Sequence, residues 1–161
     1  FRESFRPFAP SVLREEAANW FEIDVASPYM LFVANIKKEF QIPMSHDQKN
    51  LFGIEKLNIK RSKVPAVTHV DYSARIQTVH KKTNSRYYKL IKKFYELTKC
   101  PILVNTSFNI RGEPIVCSVE DAYRCFMGTN LDILVIEDFI LFKSDQNQSL
   151  KEDYKKNFKL D

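Results

Sequence analysis

The segment Asn105-Thr106-Ser107-Phe108-Asn109 places three small hydrogen-bonding side chains at alternate positions. On an extended backbone Asn105, Ser107 and Asn109 point to one side. Amide and hydroxyl groups there can orient phosphate oxygens or a small amide without adding repulsive charge. Asn and Ser are also ordinary turn formers after a strand, so the pattern alone leaves a structural role open. The opening loop is a second candidate, with Arg2 and Arg6 on a backbone stiffened by Pro7 and Pro10 and braced by aromatic residues. A guanidinium fork donates two parallel hydrogen bonds to an oxyanion, and a restricted loop loses less entropy in doing so. Surface ion pairing is the plain alternative for the same two arginines. Arg75 lies among apolar neighbours, and its charge needs Asp71, Glu113 or a ligand anion, of which the ligand is the expected one. His69 and Asp71 could form a catalytic pair or metal ligands, but two ligands make an incomplete metal site, and a structural hydrogen bond is the expected use of His69.

Several common devices are absent. The chain has no Walker loop, GxGxxG, nucleophile elbow, kinase signature or metal-spaced His/Cys set, and only 3 glycines in all. Any phosphate site must therefore use side-chain donors and ordinary backbone amides.

These residues need elements to hold them. The two prolines of Phe1 to Pro10 predict an extended loop, and Ser11 to Trp20 a short helix. Tyr29 to Ile36 is an apolar run of strand length and predicts a buried strand. Lys37 to Lys63, polar and broken by Pro43 and Gly53, predicts an irregular surface excursion. Two β-rich runs, Ala66 to Val70 and Arg75 to His80, flank the turn-forming residues Asp71 to Ala74. Asn84 to Lys99 carries apolar residues at Tyr87, Leu90, Ile91, Phe94 and Leu97, the spacing of one helix face. Pro101 to Val104 reads as a short buried strand leading into the Asn/Ser cluster, the place where α/β sheets commonly hold ligands. Ser118 to Met127 predicts a second helix with Ala122, Cys125 and Phe126 inward, and Ile133 to Ile136 with Phe139 to Phe142 a hairpin. The polar stretch after Lys143 predicts a solvated helix or frayed tail.

The 161 residues suit one domain, with 44% hydrophobic and 13% aromatic content and 28% charged residues spread along the chain. A net charge of +5 favours anionic ligands. Three cysteines without a CxxC pair encode neither a disulfide framework nor a zinc site, which suits a reduced, cytoplasmic setting. No apolar run approaches the roughly 20 residues that span a bilayer. A start at Phe1, with neither initiator Met nor signal-peptide core, predicts a piece of a longer polypeptide.

Arg2 through Ser11, Ser27-Pro28-Tyr29-Met30, Pro65 through Asp71, Ala74 through Val79 and Asn105 through Val116 together resemble the C-terminal region of the NodU/CmcH-type O-carbamoyltransferases. The resemblance runs from Phe1 to about Lys143, and its most specific part is Asn-Thr-Ser-Phe-Asn-x-x-Gly-Glu-Pro-Ile-Val. It implies a YrdC-like α/β domain over residues 1–143, a twisted mixed open sheet flanked by helices, followed by a polar tail over 144–161. It implies an enzyme, a carbamoyltransferase that binds carbamoyl phosphate and ATP and forms a carbamoyl-adenylate with release of pyrophosphate. Transfer to an acceptor hydroxyl would fall to an actin-like N-terminal domain of the same polypeptide, where the family's metal ion resides. Mg2+ would enter with ATP, and no metal site is expected in this chain. Arg6, Arg75, Asn105 and Ser107 match family positions that bind carbamoyl phosphate or the adenylate, with Arg75, Asn105 and Ser107 the catalytic candidates. Asn109, Arg2 and Arg111 are further binding candidates. Two departures stand out: Tyr72-Ser73 occupies the place of a Gly-Thr pair, and the Lys of a Lys-x-Arg pattern would lie before Phe1. A basic RNA- or nucleotide-binding module is the alternative function. It predicts a continuous Lys/Arg groove with exposed stacking aromatics, whereas the aromatics here fall mostly at core-compatible positions. Nucleic acid and membrane are therefore not expected partners.

Overall fold

The structure is a computed structural model and describes residues 7–110, 112–147 and 149. These fall into two compact units, one holding the described residues up to Thr106 and the other those from Ser107 onward.

The first unit is built on a four-stranded mixed sheet in the order β2-β3-β1-β4, formed by β1 (Ala9–Leu13), β2 (Phe32–Asn35), β3 (Ser73–Val79) and β4 (Ile102–Asn105). β1 and β3 run parallel at its centre, and the outer strands pair antiparallel to them. The expected mixed α/β architecture is therefore present. The two sheet faces are separated by side-chain alternation. Val12, Ala74, Ile76 and Ile102 enter a core with Ala17, Phe21 and Ile36 on one face. On the other, Leu13 and Val79 are covered by Ile91, with Tyr87, Tyr88 and Tyr95 around them.

Ile91 and the three tyrosines belong to α4 (Ser85–Thr98), the helix predicted from its apolar stripe. Asn84 caps it by accepting from the Tyr87 amide at 3.3 Å, and Lys99 ends it in the left-handed region at φ 62°. The short α1 (Arg14–Trp20) carries Glu15 and Glu16 in its first turn, where the helix dipole favours acidic side chains.

Four sequence-based expectations change. The helix predicted from Ser11 begins only at Arg14, because residues 9–13 form the central strand. Pro10 is tolerated there because pairing with β3 starts at Ser11, so no ladder bond to that side needs the missing N–H. The apolar run from Tyr29 gives a strand of only four residues at the sheet edge, and Tyr29 and Leu31 are 81% and 77% exposed. An edge position leaves one side of that strand without neighbours, which apolar composition cannot report. Ala66 to Val70 is not a strand: Pro65–Val67 form a 3-10 turn, since Pro at its first position presets that geometry. β4 is likewise an edge strand and not a buried one, with only Ile102 of its four residues buried.

The excursion over 37–63 contains α2 (His46–Asn50) and α3 (Gly53–Leu57), and it is anchored by a buried cation. Arg61, 5% exposed, donates to the carbonyls of Lys56 (2.6 Å) and Leu57 (3.3 Å) at the end of α3. It also donates to those of Thr68 (3.4 Å) and His69 (3.2 Å). Beside it Ser62 and Thr68 share a 2.7 Å hydroxyl contact, so the buried polar groups of this bend are satisfied internally.

In the second unit α5 (Val119–Gly128), capped by Ser118, packs Ala122, Phe126 and Met127 against Leu134. Leu134 lies on a hairpin of β5 (Ile133–Ile136) and β6 (Phe139–Phe142), with the boundaries predicted from two apolar runs separated by Glu137-Asp138. The predicted tail falls largely outside the described residues.

Candidate functional site

Ser73, Arg75, Gln77 and Val79 alternate onto one face of β3. Helix α4 covers this face at Val79, and Arg75 is exposed on the half it leaves uncovered. The pairing of Ser11 with Gln77 and of Ala9 with Asn105 brings Ser11 and Asn105 to the same face.

Gln77 joins them. Its Oε1 accepts from the Ser11 hydroxyl and from the Asn105 amide, both at 2.6 Å, and its Nε2 donates to the Pro28 carbonyl at 3.2 Å. Asn105 and Gln77 meet across the intervening β1, where Ala9 is small enough to leave the space between them. Met30 sulfur stands 3.6 Å from the same Asn105 amide. Residues from four separate sequence stretches thus form one hydrogen-bonded group. The amide of Asn105 is fixed by a donor bond, which orients its carbonyl and sets the side chain as a rigid reader and not a free rotor.

Arg75 pairs with no carboxylate among the described residues. Asp71, one of its proposed partners, has its Oδ1 engaged by the Ser73 hydroxyl at 2.7 Å and the Ser73 amide at 3.0 Å. This Asx-type turn closes the loop before β3, and it places Tyr72 at φ 69°. The Tyr72 hydroxyl donates to the Ile42 carbonyl at 3.2 Å, and the Met44 amide donates to it at 3.3 Å, tying the 37–63 excursion to this loop. A side chain where the family pattern has glycine is thus held by bonds made at its far end.

His69 stands against the same loop, its Nδ1 2.9 Å from Ser73 Oγ. Ser73 gives its proton to a carboxylate that can only accept, so the imidazole must donate from Nδ1. Burial holds His69 below its ordinary 6.5; the Asp71 charge opposes this, and Arg75 and Arg61 reinforce it. The hydrogen bonds from Ser73 hold Asp71 below its ordinary 3.8. Both shifts have a sign in stability. The unfolded chain takes up a proton on His69 before the folded one does, so its contribution is present above about pH 6.5 and is lost as pH falls through the lowered folded value. Asp71 adds a second loss below 3.8. We expect thermal melts to fall between pH 7 and pH 5, with a shallower fall in His69→Phe; equal slopes would remove His69 as the cause.

The other predicted residues divide. Ser107 and Asn109 belong to the second unit. Ser107 is exposed, whereas the Asn109 amide donates to the carbonyls of Ile110 (3.1 Å) and Glu113 (2.9 Å). The Glu113 carboxylate in turn accepts from the Ile110 amide at 3.0 Å, so Asn109 builds a turn that Gly112 completes at φ 81°. Burial, with the Glu113 charge, pushes the nearby Cys125 thiol up to about 11, which makes it a poor nucleophile. Arg2, Arg6 and Arg111 lie outside the described residues. Gln77 and Ser11 are members of the group that residue type alone did not single out. Gln77 shares a strand face with Ser73 and Arg75, but neither it nor Ser11 carried a signal of the group before β1, β3 and β4 were paired. No three His, Cys, Asp or Glu side chains come together as a metal site among the described residues, and no described helix is long and apolar enough to cross a membrane.

A family profile described as Carbamoyltransferase C-terminus matches residues 1–143. An uncharacterized protein of Synechocystis is 59% identical over all of this chain, which spans 26% of that protein. Nodulation protein NolO of Bradyrhizobium diazoefficiens is 42% identical over 88% of the chain and 23% of its own length. Nodulation protein U of Sinorhizobium fredii is 35% identical over 70% of the chain and 16% of its own length. The chain thus spans about a quarter or less of these relatives, and its motifs, its profile match and its relatives agree that it belongs to the carbamoyltransferase C-terminus family.

Proposed function

We propose that this chain is the carbamoyl-activating part of an O-carbamoyltransferase. Water converts carbamoyl phosphate to carbamate and phosphate; a carbamate oxygen then attacks the α-phosphorus of ATP, and pyrophosphate leaves to give carbamoyl-adenylate. An actin-like domain of the same polypeptide transfers the carbamoyl group to an acceptor hydroxyl. The observation that carries this reading is Arg75, a cation without a carboxylate partner among the described residues, on the same open sheet face as the fixed Asn105 amide. Arg75 neutralises phosphate charge, and Asn105 presents an oriented neutral group to the carbamoyl end. Held geometry of this kind lowers the entropy lost in bringing two anionic substrates together. Ser107, Arg6, Arg2, Asn109 and Arg111 join the proposal through their motif positions. Magnesium enters with ATP as part of the substrate and neutralises its phosphates.

The test uses the full-length protein with Mg-ATP at near-physiological salt. Pyrophosphate release that requires carbamoyl phosphate, together with saturable one-site calorimetric binding of a non-hydrolysable ATP analogue, is the expected result. Pyrophosphate release indifferent to carbamoyl phosphate, or no nucleotide binding, would overturn the proposal.

A further inference from the structure

The arrangement around His69 goes beyond anchoring a turn. Three groups lie in series: the Asp71 carboxylate accepts from the Ser73 hydroxyl at 2.7 Å, and Ser73 accepts from His69 Nδ1 at 2.9 Å. The series fixes the ring rotamer and its tautomer, leaving Nε2 as an unprotonated acceptor. No described residue donates to that nitrogen. The backbone beneath is equally fixed, because Arg61 holds the His69 carbonyl and the His69 amide donates to the Ser73 carbonyl at 2.8 Å.

Position gives this acceptor its meaning. Ser73 and Arg75 are two residues apart on one face of β3, which separates them by roughly 7 Å, about the length of a small acyl phosphate with its contacts. Arg75 is close enough for its charge to disfavour protonation of the ring. A cation that suits a phosphate therefore neighbours a neutral acceptor that suits an N–H donor. An acceptor with no proton to give is poorly matched to another oxyanion or a methyl group.

We propose that His69 is a specificity-determining residue that recognises the substrate amide: its Nε2 accepts a hydrogen bond from the carbamoyl NH2 while Arg75 holds the phosphate. This inference rests on the carbamoyl-activating reading above. It assigns to the Asp71–Ser73 pair the positioning of the ring, and it makes the site select an acyl phosphate by its amide.

Acetyl phosphate is the matched probe, since it replaces the NH2 with a methyl group at nearly constant size and charge. Dissociation constants for carbamoyl phosphate and acetyl phosphate are measured on the full-length protein, wild type and two variants. The wild type is expected to prefer carbamoyl phosphate by about tenfold, the worth of one good hydrogen bond in a partly desolvated site. His69→Phe is expected to reduce the preference to about twofold or less while still binding acetyl phosphate; His69→Gln, which can place a carbonyl where Nε2 stood, retains most of it. Equal wild-type affinities, or an undiminished preference in His69→Phe, overturn the inference and leave the activation reading standing. Wild-type protein that binds neither compound overturns both. Should His69→Phe bind neither, His69→Gln decides: a preference kept supports the inference and a preference lost overturns it.

Discussion

Replacing Arg75 with alanine is expected to lower carbamoyl-phosphate-dependent pyrophosphate release by about a hundredfold to a thousandfold, the usual effect of deleting one preorganised group that meets developing charge. The melting temperature should stay nearly unchanged. Arg75 is exposed and pairs with no carboxylate among the described residues, so its removal orphans no buried group. Arg75→Lys should recover only part of the loss, because an ammonium supplies charge without the planar two-donor fork. Full activity in Arg75→Ala would dismiss this face of the sheet as the phosphate site. A parallel loss of melting temperature would show that the arginine serves the fold.

The opposite pattern is expected at Arg61. Substitution by methionine retains much of the stem but leaves the carbonyls of Lys56, Leu57, Thr68 and His69 without the guanidinium they share. The Lys56 and His69 carbonyls keep the Ile59 and Tyr72 amides as donors, at 3.3 and 3.1 Å, so the loss falls on those of Leu57 and Thr68. Two acceptors left without partners cost about 1–3 kcal/mol each, and partial relaxation brings the whole to about 3 kcal/mol. For a chain of this size that is a fall in melting temperature of about 6–12 °C. Substrate affinity should weaken as well, because the His69 backbone hangs on the same guanidinium. Chemical denaturation of Arg61→Met against the wild type checks the stability, and a change under about 1 kcal/mol would mean that solvent replaces the lost donors.

The contrast between these two arginines also shows where sequence reasoning stops. The apolar neighbours of Arg75 marked its charge as needing a partner, but nothing local in the sequence shows that Arg61 is the buried cation and Arg75 the exposed one. What separates them is tertiary: Arg61 finds four carbonyls contributed by α3 and the 68–69 segment, a coincidence of chain path. Local periodicity served well where one element carries its own signal. The apolar stripe of α4 and the two short apolar runs of the β5–β6 hairpin, split by Glu137-Asp138, were readable for that reason. It failed at Tyr29 to Ile36 and at Ala66 to Val70, where apolar content reports a preference for burial but not whether a neighbouring strand exists. Of the candidate site, Arg75 and Asn105 were singled out by their motifs, and the sheet register puts them on one face. Gln77 was not, since a glutamine on a strand is unremarkable until Ser11 and Asn105 are placed on either side of it. His69 was legible as a structural hydrogen-bonder; its fixed tautomer required the coordinates of Ser73 and Asp71.

The parallel pairing of β1 with β3 bears on how the molecule comes into being. Helix α4 and the hairpin of β5 and β6 join residues close in sequence, whereas Ser11 meets Gln77 across 66 positions. Chain closure over such a span carries a larger entropy loss than local contacts do, and pairings of this kind are slow to form. On the ribosome the first strand therefore waits for β3 to emerge before it has a central partner. The Ser11–Gln77–Asn105 group exists only once that meeting has occurred and β4 has been added. This hydrogen-bonded group is thus a late product of synthesis, and a chain arrested earlier presents helices without it.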